Sequence, residues 1–142
     1  MVDETIEERA EKATISTSSK ELEKLADDDD EDVRKVVAQN SNTSVSVLEK
    51  LAKDDSKKVR QNVCENIKTP IPLIETLAED KEDGVRYNVA KNINSPVKLL
   101  EKLANDESQI VRSSAGLNTN TPIHILEKLG EGGMGVVYKA QD

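Results

Sequence analysis

Apolar and polar positions recur along this chain with a period of 26 residues. The segment Leu22-Glu23-Lys24-Leu25-Ala26 returns at 48–52, 74–78 and 100–104, and in part at 126–129. Fixed self-similarity at this length marks a solenoid, whose units bury their apolar faces only against one another. Within each copy the pattern predicts two short helices. Leu48 and Leu51 stand three apart on one side of the first helix, as do Ile74 with Leu77 and Leu100 with Leu103. The second helix carries Val33, Val59, Val85 and Val111, then Val37, Val63, Val89 and Ala115, then the small residues Ala38, Cys64, Ala90 and Gly116. Helices this short are unstable alone in water, so stacking must hold them, and some are expected to be 3₁₀.

The repeats are expected at 18–42, 43–68, 69–94 and 95–120, with a partial fifth from 121 to 129. Residues 1–17 read as an N-terminal cap, with Ile6, Ala10 and Ala13 at helical spacing among charged residues. Thr43, Thr69, Ser95 and Thr121 precede each first helix, where a hydroxyl can cap free backbone N–H groups. Pro70, Pro96 and Pro122 follow, at the expected first helical position. Two polar ladders complete the unit. Asp28, Asp54, Asp80 and Asp106 each lie six residues before Arg34, Arg60, Arg86 and Arg112, a spacing read as ion pairs within each copy. Asn40, Asn66, Asn92 and Asn118 close the second helix, where Asn tolerates left-handed geometry and its amide can bond loop backbone.

The string Thr69-Pro70 … Leu73-Ile74 … Leu77-Ala78 … Asp80 … Val85-Arg86 … Val89-Ala90 … Asn92 resembles the leucine-rich repeat variant family, in register, over about residues 18–129. The resemblance implies an all-α fold, a right-handed helical solenoid of about four and a half two-helix repeats related in style to HEAT and armadillo arrays. Some members carry an N-terminal iron–sulfur cluster, which does not carry over because residues 1–17 contain no cysteine.

A different signal follows. The segment Leu129-Gly130-Glu131-Gly132-Gly133-Met134-Gly135-Val136-Val137-Tyr138-Lys139-Ala140 resembles the opening of a bacterial-type serine/threonine protein kinase. Gly130, Gly132, Gly135 and Val137 fit its glycine-rich loop, which in kinases lies over ATP phosphates. The resemblance covers residues 129–142, and the lysine, glutamate, aspartates and asparagine that a kinase needs for catalysis do not follow within it. Residues 130–142 are therefore read as an incomplete, non-functional loop and the chain as a non-enzyme. Either the chain is the N-terminal piece of a longer repeat–kinase protein, or recombination joined an array to a kinase remnant at the shared Ile125–Leu129 string.

Composition narrows the functions. With two Tyr and no Phe or Trp in 142 residues, the core must be aliphatic. No apolar run approaches the roughly 20 residues of a membrane span, and no secretory signal is recognisable, so a cytoplasmic setting is expected. A single cysteine, Cys64, reads as a buried core thiol, and His124 as an exposed side chain. No cofactor or metal is implied. Residues 1–32 hold 13 acidic and 4 basic side chains, and the remainder 15 and 16, so the acidity is N-terminal. The run 27–32 reads as a solvated loop. The near-neutral body argues against nucleic-acid binding, which needs a basic stripe.

These readings lead to a non-catalytic protein-interaction scaffold that takes a protein or peptide partner. The second-helix positions that change between copies are the candidate readers: Lys35, Val36 and Gln39; Gln61, Asn62 and Glu65; Tyr87, Asn88 and Lys91; Ser113, Ser114 and Leu117. If second helices line the concave face, as in related arrays, these positions form the groove, with Tyr87 as its best anchor. The alternative is an N-terminal regulatory or recruitment arm of a serine/threonine kinase whose catalytic domain lies beyond residue 142.

Overall fold

A computed structural model describes residues 2–131. Among them the chain is all-helical, with ten α-helices and no strand. They are α1 (Ile6–Ile15), α2 (Ser19–Leu25), α3 (Glu31–Gln39), α4 (Val45–Leu51), α5 (Lys57–Glu65), α6 (Ile71–Leu77), α7 (Asp83–Lys91), α8 (Val97–Leu103), α9 (Gln109–Leu117) and α10 (Ile123–Glu131). After α1, helices of seven and nine residues alternate up to α9, one pair per 26 residues. None is 3₁₀, contrary to the sequence expectation: even the seven-residue helices close i to i−4 bonds, such as Ala52 N–H to the Leu48 carbonyl at 2.8 Å. No described helix is long and apolar enough to cross a membrane.

By compactness the chain divides into two units, Met1–Leu73 and Ile74–Asp142, with the division inside α6. In the first unit, α3 lies between α1 and α5, with α2 and α4 packed alongside. In the second, α7 and α9 lie side by side, α8 packs against both, and α10 packs on α9.

Both cores are built from the rows read in the sequence. Val33, Val37, Ala38, Val59, Val63, Val85, Val89, Ala90, Val111 and Ala115 are fully enclosed, as are Leu22, Leu48, Ile74 and Leu100 from the seven-residue helices. Burying a Leu or Val of this kind gains about 1.5–3 kcal/mol over leaving it in water, which is what a two-turn helix needs to persist. Cys64 shares the small-residue row and is buried.

The ends of the helices depart from expectation in one respect each. Thr43, Thr69, Ser95 and Thr121 are buried, and the helices after Thr43 and Ser95 take Ser44 and Pro96 as their N-caps instead. The four hydroxyls donate backwards to the carbonyls of Val37, Val63, Val89 and Ala115, with distances of 2.6 Å for the first three. Those carbonyls sit in the last turn of the preceding helix, where acceptors lack intrahelical donors. Helix starts are served by the next residue: the Ser44 hydroxyl accepts from Val47 N–H, and Pro96 is the N-cap of α8 with extended backbone. The prolines therefore stand one position before the helix rather than inside it.

The asparagines also differ. Asn40, Asn66, Asn92 and Asn118 have φ between −63° and −71° and ψ between 122° and 130°, so their backbone is extended, not left-handed. What selects Asn is its amide. The Asn66 Nδ2 donates to the carbonyls of Ala38 and Asn40 at 2.8 and 3.0 Å, and its Oδ1 accepts from Lys68 N–H at 2.9 Å. Asn118 repeats the arrangement on Ala90 and Asn92, and Asn40 does so on Ala13 and Ser16. One side chain thus folds its own loop and ties it to the repeat before.

Candidate functional site

The Asp–Arg ladder, expected inside each copy, runs between copies. The guanidinium of Arg34 does meet the loop six residues earlier, but through backbone: its Nη1 bonds the Asp28 and Asp29 carbonyls at 2.8 and 3.1 Å. Its Nε and Nη2 go to the carboxylate of Asp54, twenty residues on, at 2.7 and 3.0 Å. Arg86 reaches Asp106 in the same way, at 2.8 and 3.1 Å. Arg9 of α1 does so with Asp28, at 2.7 and 3.2 Å. Arg60, Arg86 and Arg112 all donate to the carbonyl six residues back. The planar fork lets one cation bond two loops at once, which a lysine does not match.

Each aspartate has a second task. Oδ1 of Asp28, Asp54, Asp80 and Asp106 accepts the backbone N–H two residues on, at 2.9 Å in every case, turning the chain into the following helix. The Arg9 hydrogen bond and the Asp30 amide together hold the Asp28 carboxyl below the ordinary aspartate value. For Asp54 and Asp106, burial pushes upward, but the guanidinium partner and the backbone N–H outweigh it and both carboxyls are lowered.

The acidic run 27–32 is correspondingly not a bare solvated loop. Asp28 is locked by Arg9, Asp30 caps α3 through Asp32 N–H, and Asp32 pairs with Lys35 at 2.8 Å. Asp27 meets Lys50, and Glu31 meets Lys58 at 3.2 Å.

The expected partner-binding residues separate into three kinds. Asn62, Asn88 and Ser114 occupy one register position and are buried, so they offer little surface to a partner. Asn62 receives a bond from Gln39 Nε2 at 2.5 Å and donates to the Lys58 carbonyl, while the Ser114 hydroxyl reaches the Tyr87 carbonyl at 3.4 Å. Lys35 and Gln39 are engaged with neighbours, and Gln61 is half-buried. Glu65 is exposed. Of the kinase-like positions, Gly130 falls near the end of α10, while Gly132 and Gly135 lie outside the described residues.

The third kind comes together. Tyr87, Lys91 and Ser113 line an open groove of about 530 Å³ along α7 and α9, with the buried Ser114 beneath them. Ile93, Ile110 and Leu117 complete its apolar surface and are 69%, 51% and 64% exposed, an unusual amount of aliphatic surface for one face of two short helices. The Lys91 ammonium lies 5.4 Å from the centre of the Tyr87 ring, close enough for a cation–π contact. Gln109, Asn118 and Thr119 also line the groove. Sequence reasoning singled out Tyr87 but not Ile93 or Ile110, which line the same groove. Ile93 follows the closing asparagine and Ile110 lies in the first turn of α9, so neither belongs to the row of changing positions, although Ile93, alone between two asparagines, was a readable signal.

The groove has the chemistry of a recognition surface: an apolar floor, one aromatic ring, one cation and neutral hydrogen-bonding groups. His124, near Glu101 at 3.6 Å, is exposed and belongs to another face. Comparison of the chain with protein-family models and with curated proteins returned no match.

Proposed function

We propose that this chain is a non-catalytic protein-interaction scaffold, a helical solenoid of the leucine-rich repeat variant type that holds a peptide segment of a partner in the groove of α7 and α9. The observation that carries this reading is the groove itself, where Tyr87, Ile93, Ile110 and Leu117 present apolar surface to solvent beside the Lys91 cation. Its ligand is an extended or helical peptide with one large apolar side chain for the floor and an acidic residue for Lys91. Recurrence of the Arg–Asp and Asn bridges at repeat spacing in each unit supports the solenoid reading. A cytoplasmic protein partner fits it.

The test is selection from a random peptide library on the full chain, followed by titration of the enriched peptides. Peptides with an apolar–acidic signature that lose binding to a Tyr87→Ala, Leu117→Ser double variant of unchanged helicity support the reading. Enriched peptides that bind the double variant equally well remove it.

A second reading is favoured by the string at 129–140: the chain is the N-terminal regulatory or recruitment arm of a serine/threonine kinase. Reading the gene past the codon for Asp142 tests it, since an in-frame catalytic domain supports it and a stop codon ends it.

A further inference from the structure

Among the described residues, Arg112 ends the ladder of the second unit without a carboxylate. Its Nη1 is held by the Asp106 and Glu107 carbonyls at 2.8 and 3.0 Å, so the guanidinium is set as in Arg34 and Arg86. Its Nε is shielded from water and has no partner among the described residues. The ladder calls for an aspartate twenty residues on, and the sequence has Gly132 there. The neighbouring apolar surface is also unfinished. Leu126 of α10 is half-buried, whereas Leu100, at the same position of α8, is fully enclosed with α7 and α9 on either side. Among the described residues no helix follows α10 to enclose Leu126 in the same way.

We propose that this end of the second unit, formed by Arg112 and Leu126 on α9 and α10, docks an amphipathic helix from a different protein chain, led by an aspartate that takes the Arg112 guanidinium. The occupant's chemistry is set by what fills the equivalent place inside the unit. There α9 brings Asp106 onto Arg86, contributes Val111 and Ala115 to the core, and places its Asn118 amide on the Ala90 and Asn92 carbonyls. The corresponding carbonyls at the open end are those of Gly116 and Asn118. An incoming helix of the form Asp, then Val five residues on and Val four further, then a closing Asn, satisfies the cation and covers the leucine. A second copy of this chain is a poor occupant. Its α1 has Asp3 six residues before Arg9, the ladder spacing, but the exposed Glu8 and Lys12 stand where Val33 and Val37 stand relative to Arg34. Burying those charges against Leu126 opposes docking.

The probe is a labelled, end-blocked peptide of this chain's own residues 80–92, which carries Asp80, Val85, Val89 and Asn92 in the required order. Fluorescence anisotropy against the full chain is expected to show saturable binding. Arg112→Met in the protein, or Asp80→Asn in the peptide, weakens it by about tenfold or more, the loss of one charge-assisted bidentate contact. Tyr87→Ala in the protein leaves it unchanged, which separates this site from the groove. Absence of saturable binding, or binding indifferent to both charge changes, overturns the proposal. A peptide of residues 3–15 that binds as tightly overturns the assignment to a different chain. Stability supplies a second readout. Arg112→Met in the free chain forfeits only the bonds to the Asp106 and Glu107 carbonyls and is expected to destabilise less than Arg86→Met, which also leaves the Asp106 carboxylate without its donor. Equal losses for the two show that Arg112 already has a carboxylate and overturn the proposal.

Discussion

Arg34 and Asp54 face each other through two parallel N–H···O bonds of 2.7 and 3.0 Å, with side chains only 17% and 9% exposed. The same guanidinium holds the carbonyls of its own loop, so one side chain secures two turns of chain twenty residues apart. Replacing Arg34 by Ala leaves a buried carboxylate and two carbonyls without their donor. The expected loss is about 3–5 kcal/mol in urea unfolding, as for other broken buried pairs. A loss under about 1 kcal/mol would place this pair with exposed surface bridges instead.

Acid should unfold the chain through the same carboxylates. Asp28, Asp54 and Asp106 are all lowered from the ordinary aspartate value. A depressed folded-state pKa gives stability that is fully present above the unfolded value and lost as pH falls through the folded one. Melting temperature is therefore expected to hold from pH 7 down to about 4, the unfolded aspartate value, and to fall steeply below it. Asp54→Asn should lower stability at pH 7 and flatten part of that acid slope. An unchanged slope in this variant would show that other groups carry the acid response.

Asn66 offers a test in which sign matters more than size. Asn66→Ala removes two donors to the Ala38 and Asn40 carbonyls and is expected to cost about 2 kcal/mol. Asn66→Asp keeps the acceptor for Lys68 N–H but turns a carboxylate towards two carbonyl oxygens. It should cost more than Ala at pH 7 and recover when the carboxyl is protonated. Denaturant titration at two pH values checks the order.

Leu100 and Leu126 occupy the same repeat position with unequal burial. Leu100→Ala should cost about 3 kcal/mol or more, with its cavity, and Leu126→Ala about 1 kcal/mol. Thermal unfolding of the two variants side by side measures the difference. Equal costs would mean that α10 is as well enclosed as α8.

Much of the fold was legible because a period of 26 residues places like residues in like surroundings. The Val and Leu rows, the buried Cys64 row and the role of Asn as a binder of loop backbone were all readable from one copy laid on the next. The partner of each arginine was not. In an exact repeat, the aspartate six residues before Arg34 and the one twenty residues after recur equally often, and only the helix geometry decides between them. Asn62, Asn88 and Ser114 misled for a related reason. They vary and are polar, which suggests surface, yet all three are buried: Asn62 takes a bond from Gln39 of α3, and Ser114 bonds the Tyr87 carbonyl of α7. The groove was half legible: Tyr87 stood out in a chain almost without aromatics, but the apolar surface of Ile93 and Ile110 required the helices to be placed first.

The asparagine bridges have a direction, since Asn40, Asn66 and Asn118 each reach back to carbonyls of the preceding copy. Copies are therefore exchangeable parts. A genetic crossover between two of them, at matching points, deletes or adds one 26-residue period and keeps the Arg-to-Asp and Asn-to-carbonyl spacings on either side of the junction. Such a gene can change its length in single steps without passing through a product that has lost its internal connections.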